Sequence, residues 1–146
     1  MSRVVLNSAK QTFLLGKQIG LSAVGGEVIG LTGPLGAGKT VFVQGLAEGL
    51  SITDNIVSPT FVIMNLYPGQ IPLCHIDLYR LDAPLESIGL DEYLNWQGVT
   101  AIEWVDKMVI QEINFSVEIV DAGDNTREMV LSATPQTNHL LKGIIS

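Results

Sequence analysis

Apolar residues along this chain come in short runs with two different periods. Ser8-Ala9-Lys10-Gln11 has the form of a capping box, in which Ser8 satisfies a free amide and Gln11 reaches back. A helix is expected from there to about Leu21, with Gly16 and Gly20 weakening its interior. Gly25-Gly26 make a turn, and "EVIGLT" (27–32) is a short apolar run between glycines, which predicts a buried strand. Val43, Leu46, Ala47 and Leu50 then recur at i, i+3, i+4 and i+7, the stripe of a second helix.

Further on, "SPTFVIMNLYPGQIPLCHIDLYR" predicts two strands, about 60–67 and 71–77, joined by Pro68-Gly69-Gln70. So short a connection makes them antiparallel. Pro84 to Leu94 is expected to be helical with proline in its first turn. "GVTAIEWVD" (98–106) is another apolar strand, and "FSVEIVDA" with "TREMVLSAT" forms a second hairpin around Gly123-Asp124-Asn125. The tail from Pro135 is weakly patterned. Its "LLKGII" is expected to dock on the body or on a partner.

With 146 residues, 47% hydrophobic and 16% charged, the chain is expected to be one globular domain spanning 1–146. No repeat or linker divides it. No apolar run approaches the roughly 18 residues of a membrane span, and the start lacks a signal peptide's apolar core, so a cytoplasmic location is expected. Cys74 is the only cysteine, which rules out an internal disulfide. Cys74 and His75 are strand neighbours on opposite faces, which argues against a Cys-His metal site.

The net charge of −7 is uneven. Residues 77–128 hold twelve acids and three bases, and the rest of the chain three acids and five bases. Such a chain is a poor direct binder of nucleic acid. The acidic stretch is either a solvated surface or a docking face for a basic partner protein.

Between the first strand and the second helix stands "GPLGAGKT" (33–40), which has the spacing of a phosphate-binding loop. Its glycines let amides turn toward phosphate oxygens, and the helix N-terminus adds partial positive charge. Gly33, Leu35, Gly36, Ala37, Gly38 and Val41 are the expected nucleotide-binding positions. Lys39 reaches the β- and γ-phosphates, and the Thr40 hydroxyl ligates Mg²⁺. Pro34 removes one amide, at a place where the cradle needs it least.

A nucleoside triphosphatase also needs carboxylates for the metal and the attacking water. Asp77 and Glu103 end apolar strands and are the candidates, as catalytic groups and, with Thr40, as metal ligands. Ser58-Pro59-Thr60 follows the second helix, where such proteins place a γ-phosphate sensor; the plainer reading is a proline turn. Trp104 should face away from the Glu103 carboxylate, as a core tryptophan or as a lid beside the nucleotide. His75 shares the parity of Asp77 and reads as a satisfied strand histidine; Arg80 either pairs with an acid or touches phosphate. No N-K-x-D or L-S-G-G-Q run is present, and three scattered arginines make a small-molecule kinase, the alternative reading, strained.

Taken in order, G-x-L-G-A-G-K-T (33–40), S-P-T-F (58–61), H-x-D-L-Y-R (75–80) and E-W (103–104) resemble the TsaE (YjeE) family, from the first helix to about Asp106. The resemblance implies a phosphate-loop NTPase-type α/β fold of three layers around a mixed parallel and antiparallel sheet. It implies an ATPase, weak alone, that acts with TsaD and TsaB in threonylcarbamoyl transfer to the adenosine beside the anticodon, meeting tRNA only through those partners. By the same resemblance, Lys39 and Thr40 hold phosphate and Mg²⁺ and Asp77 plays the Walker B part. Glu103 lies near the metal or the water, Trp104 near the nucleotide, and Ser58 and Thr60 in a switch-like segment. Pro34 replaces the family's usual aspartate, and Val41 its usual second threonine.

Overall fold

The computed structural model describes residues 1–34, 36–56, 64–78, 90–104, 110–123 and 126–144. Strand β1 (Ser2–Leu6) leads into helix α1 (Ala9–Ser22), then strand β2 (Val28–Thr32) and helix α2 (Lys39–Gly49). Strands β3 (Met64–Tyr67), β4 (Leu73–Asp77), β5 (Val99–Glu103), β6 (Phe115–Gly123) and β7 (Thr126–Ala133) follow, with helix α3 (Asn138–Lys142) at the end. The strands form one seven-stranded sheet in the order β1-β7-β6-β2-β5-β4-β3. Strands β6, β2, β5 and β4 run parallel, while β3 and β7 pair antiparallel at either side, and β1 antiparallel to β7. This is the mixed central sheet expected from the sequence.

Burial explains why each strand takes its place. All five residues of β5 are buried, as are the first four of β2 and β4, the uniform pattern of strands covered on both faces. One face carries α1, α2 and α3, with Leu15, Ile19, Phe42, Leu46 and Leu140 packed on Ile29, Leu31, Val99 and Val117. The other packs Val28, Cys74, Ile76 and Ile102 against Leu94, Ile110 and Trp96. Burying such side chains contributes about 1.5–3 kcal/mol each. Strand β6 instead alternates, with Phe115, Val117 and Ile119 inward and Ser116, Glu118 and Val120 exposed, so the sheet there is covered on one face only.

The helix starts follow local chemistry. The Ser8 hydroxyl caps α1 by accepting from Gln11 N–H at 3.2 Å, while the Gln11 side chain accepts from Asn7 N–H, one residue before the expected box partner. Gly16 and Gly20, expected to weaken α1, lie where it crosses α2: a Cβ on Gly16 would stand 2.2 Å from the Phe42 carbonyl oxygen.

Several expectations differ from the fold. Strand β1 has no counterpart in the sequence reading. The stretch expected as a helix to Leu94 ends in a 3₁₀ turn, Leu90–Tyr93. The strand through Glu103 stops there because Trp104 adopts φ +61°. The tail docks on the body, where Leu140 and Leu141 are buried in the helix-side core. The expected positions of Leu35, Ser58, Thr60, Tyr79 and Arg80, and the start of the Pro84 helix, lie outside the described residues.

Candidate nucleotide site

Strand β2 is the middle of the parallel set, with β5 on one side and β6 on the other. In open α/β sheets ligands bind beyond the carboxyl ends of the strands, where the strand order reverses. The loop 33–38 leaves β2 at that point. The Pro34 carbonyl accepts from Ala37 N–H at 3.1 Å, and Gly36 takes φ +78° in the third place of this turn. Gly38 precedes α2 at φ +110° without a side-chain cap, so the first amides of α2 face the loop with no competing side chain.

Lys39, the first residue of α2, is buried. Its ammonium donates to the Gly33 and Pro34 carbonyls at 2.7 and 2.9 Å, and lies 3.8 Å from the centroid of the Trp104 ring. Pro34 therefore gives up its amide but keeps a working carbonyl. Trp104 packs against the second-face cluster, as strand alternation predicts, and its positive φ also brings the ring beneath Lys39.

Thr40 donates its hydroxyl to the Glu103 carboxylate, 3.1 Å from Oε2 and 3.3 Å from Oε1. Glu103 is only 3% exposed. Strand register sets Leu31, Glu103 and Asp77 abreast on β2, β5 and β4, so both carboxylates stand at carboxyl ends of neighbouring parallel strands. Same-face register partners on adjacent strands lie about 5 Å apart. Asp77 is half-buried. From below, His75 Nε2 meets Glu103 Oε2 at 2.5 Å, a contact that the sequence reading missed. Its signal was the shared parity of His75 and Asp77, but the register with β5 that completes it is not a local property.

Beside the loop is a cavity of about 270 Å³, lined by Asn7, Ser8, Thr12, Gly36, Ala37, Gly38, Val41 and Arg127. A roomier one, about 530 Å³, opens at the other end of β2 beside Glu27 and His139 and does not reach the loop. The first shares Gly36, Ala37 and Gly38 with the loop. The structure therefore brings together Gly33, Gly36, Ala37, Gly38, Lys39, Thr40, Glu103 and Trp104, sets Asp77 alongside, and puts Val41 in the wall of the adjoining cavity.

The family model for the threonylcarbamoyl adenosine biosynthesis protein TsaE matches residues 6–129. The chain belongs to the TsaE family. It is 43% identical over 131 residues to the tRNA threonylcarbamoyladenosine biosynthesis protein TsaE of Nostoc sp. (strain PCC 7120), covering 85% of this chain and 80% of that one. With the protein of the same name from Bacillus subtilis (strain 168) it shares 40% over 136 residues, 90% and 85% of the two chains. A crystal structure of Bacillus subtilis YdiB superposes with a TM-score of 0.81 at 34% identity, covering 97% of this chain and 91% of that one. Membership of the TsaE family places the chain in tRNA threonylcarbamoyladenosine biosynthesis, on a phosphate-loop NTPase fold. Among the described residues no helix is long and apolar enough to cross a membrane.

Proposed function

We propose that this chain is an ATPase that binds ATP and Mg²⁺ at the loop after β2. It turns ATP over weakly alone and faster on a TsaD–TsaB complex that transfers the threonylcarbamoyl group to the adenosine beside the anticodon. It meets tRNA through those partners, works in the cytoplasm, and its 146 residues act as one domain. The observation that supports this reading best is the meeting of Lys39, Thr40 and Glu103 at the ends of β2 and β5, with Asp77 on the next strand.

On this reading the labour divides as follows. Amides of 36–38 and of the first turn of α2 bind phosphate oxygens, and Leu35 contributes backbone to the same loop. Lys39 exchanges the Gly33 and Pro34 carbonyls for the β- and γ-phosphates. Val41 borders the nucleoside, Trp104 flanks the phosphates beside Lys39, and Ser58 and Thr60 belong to the segment that senses the γ-phosphate.

The donors present fit a magnesium ion. A hydroxyl and two carboxylates are hard oxygen ligands, and Mg²⁺ is commonly held by one or two carboxylates together with substrate phosphates. Such an ion neutralises charge on the transferring phosphoryl group. Thr40, Asp77 and Glu103 would hold it, and one of the two carboxylates would keep the attacking water in line.

Titration of ATP with Mg²⁺, followed by tryptophan fluorescence, and phosphate release with TsaD, TsaB and tRNA test this together. Lys39→Ala is expected to reduce phosphate release by about a hundredfold or more, the scale of losing a group that stabilises transition-state charge. Undiminished turnover in that variant would remove the site assignment. Label appearing on a small acceptor instead of as free phosphate would replace hydrolysis with a kinase.

A further inference from the structure

His75 has no exposed surface and lies in the middle of β4, on the same face as Glu103. The register pairs His75 with Ala101 and Asp77 with Glu103, so the imidazole sits diagonally behind the Glu103 side chain. Its Nε2 is 2.5 Å from Glu103 Oε2, and its Nδ1 is buried with no hydrogen-bond partner among the described residues. A carboxylate accepts, so Nε2 is the nitrogen that donates in this contact.

For stability alone this is a poor use of a central strand position. Replacing a buried polar pair by apolar side chains of similar volume is often neutral or stabilising. What the histidine contributes is orientation. Oε2 of Glu103 accepts from His75 below at 2.5 Å and from Thr40 above at 3.1 Å, and Oε1 has a longer contact to Thr40 at 3.3 Å. The carboxylate is thereby held from two sides.

We propose that His75 is the positioning residue of the site: through its Nε2–H it holds the Glu103 carboxylate against Thr40, at the place where the loop meets the ends of β5 and β4. This rests on the ATPase reading above. Partners that orient a ligating or catalytic carboxylate commonly matter by about 10–100-fold.

Two variants and one spectrum test it. His75→Leu removes the donor and keeps an apolar side chain, while His75→Gln places an amide N–H within reach of the Nε2 position. With the partner complex present, His75→Leu should lower kcat by about 10–100-fold and leave the KM for ATP within about twofold. His75→Gln should restore most of the loss. Wild-type kcat in His75→Leu, or equal losses in both variants, would overturn the proposal. The third readout needs no variant at the site. In ¹⁵N-labelled wild-type protein, assigned with a His139→Gln control, His75 should show a protonated Nε2, and an unprotonated Nε2 overturns the donor role. A wild type that binds and hydrolyses no ATP would overturn the ATPase reading and the catalytic meaning of the contact with it. The nitrogen shifts would still report whether Glu103 is held.

Discussion

At the scale of single residues, Cys74 shows how far burial controls reactivity. It lies on β4 without exposed surface, on the face opposite Leu73 and His75, among Val28, Ile76 and Ile102. Burial, with a smaller contribution from the Glu92 charge, pushes its thiol pKa up to about 12. A raised thiol pKa means less thiolate at every pH below it, so at pH 8 the nucleophilic form is on the order of one part in ten thousand. The native protein is expected to resist thiol reagents at pH 8 and to react only when unfolded. Rapid labelling of the native chain would show instead that β4 opens locally. The legibility of the site divides along similar lines. The placing of Lys39, Thr40 and the loop glycines at the turn from β2 into α2 was readable because the motif is contiguous in sequence. The His75–Glu103 contact was not, since it depends on how β4 aligns with β5, 28 positions apart in sequence. For Trp104 alternation foresaw the face, but a backbone φ of +61° brings its ring beneath Lys39.

At the scale of elements, the crossing of α1 and α2 explains glycines that local propensity counts only as weakness. A Cβ on Gly45 would lie 1.9 Å from the Phe13 carbonyl oxygen, and one on Gly49 2.2 Å from that of Lys17. Both obstacles are backbone, which cannot swing away as a side-chain tip does. Gly45→Ala gains about 1 kcal/mol in helix propensity, yet overpacking of this kind typically costs about 1–3 kcal/mol, and here the helices must part to admit the methyl group. The clash should win, lowering the thermal midpoint by up to about 8 °C in a chain of this size, as measured by circular dichroism. A midpoint at or above wild type would mean that the two helices separate freely. The elements themselves were legible where one face or both faces are buried: β2, β5, α2 and the two hairpins follow the apolar pattern. Strand β1 was not, because "SRVVL" is an edge strand whose Val5 is 60% exposed, so its residues do not alternate cleanly by polarity. The tail was equally opaque. Its helix is five residues long, and what places it is the burial of Leu140 and Leu141 against the sheet.

At the scale of the whole molecule, charge is segregated along the chain. The first 26 residues contain three bases and no acid, whereas 77–128 holds twelve acids. Part of that acidity is neutralised locally, where Glu128 pairs with Arg3 at 2.6 Å and Asp121 with Arg127 at 3.3 Å. Both pairs are solvent-exposed at one partner, so each is worth little to stability. Glu112 and Glu118 are exposed and make no salt bridge among the described residues, and Glu118 lies on the face of β6 that no helix covers. A surface of one sign accelerates encounter with a partner of the other, over a range set by a Debye length of about 8 Å at physiological salt. If the acidic stretch is the docking face for a basic surface of the proposed TsaD–TsaB complex, the association rate should fall at least about tenfold between 50 and 500 mM salt while dissociation changes little. The double variant Glu112→Lys, Glu118→Lys should start slower and lose most of that salt dependence, because the field that steers the encounter has been removed. Stopped-flow association with the partner complex reads both. A rate indifferent to salt and to the two reversals would leave the acidity as a solvated surface and move the docking face elsewhere on the molecule.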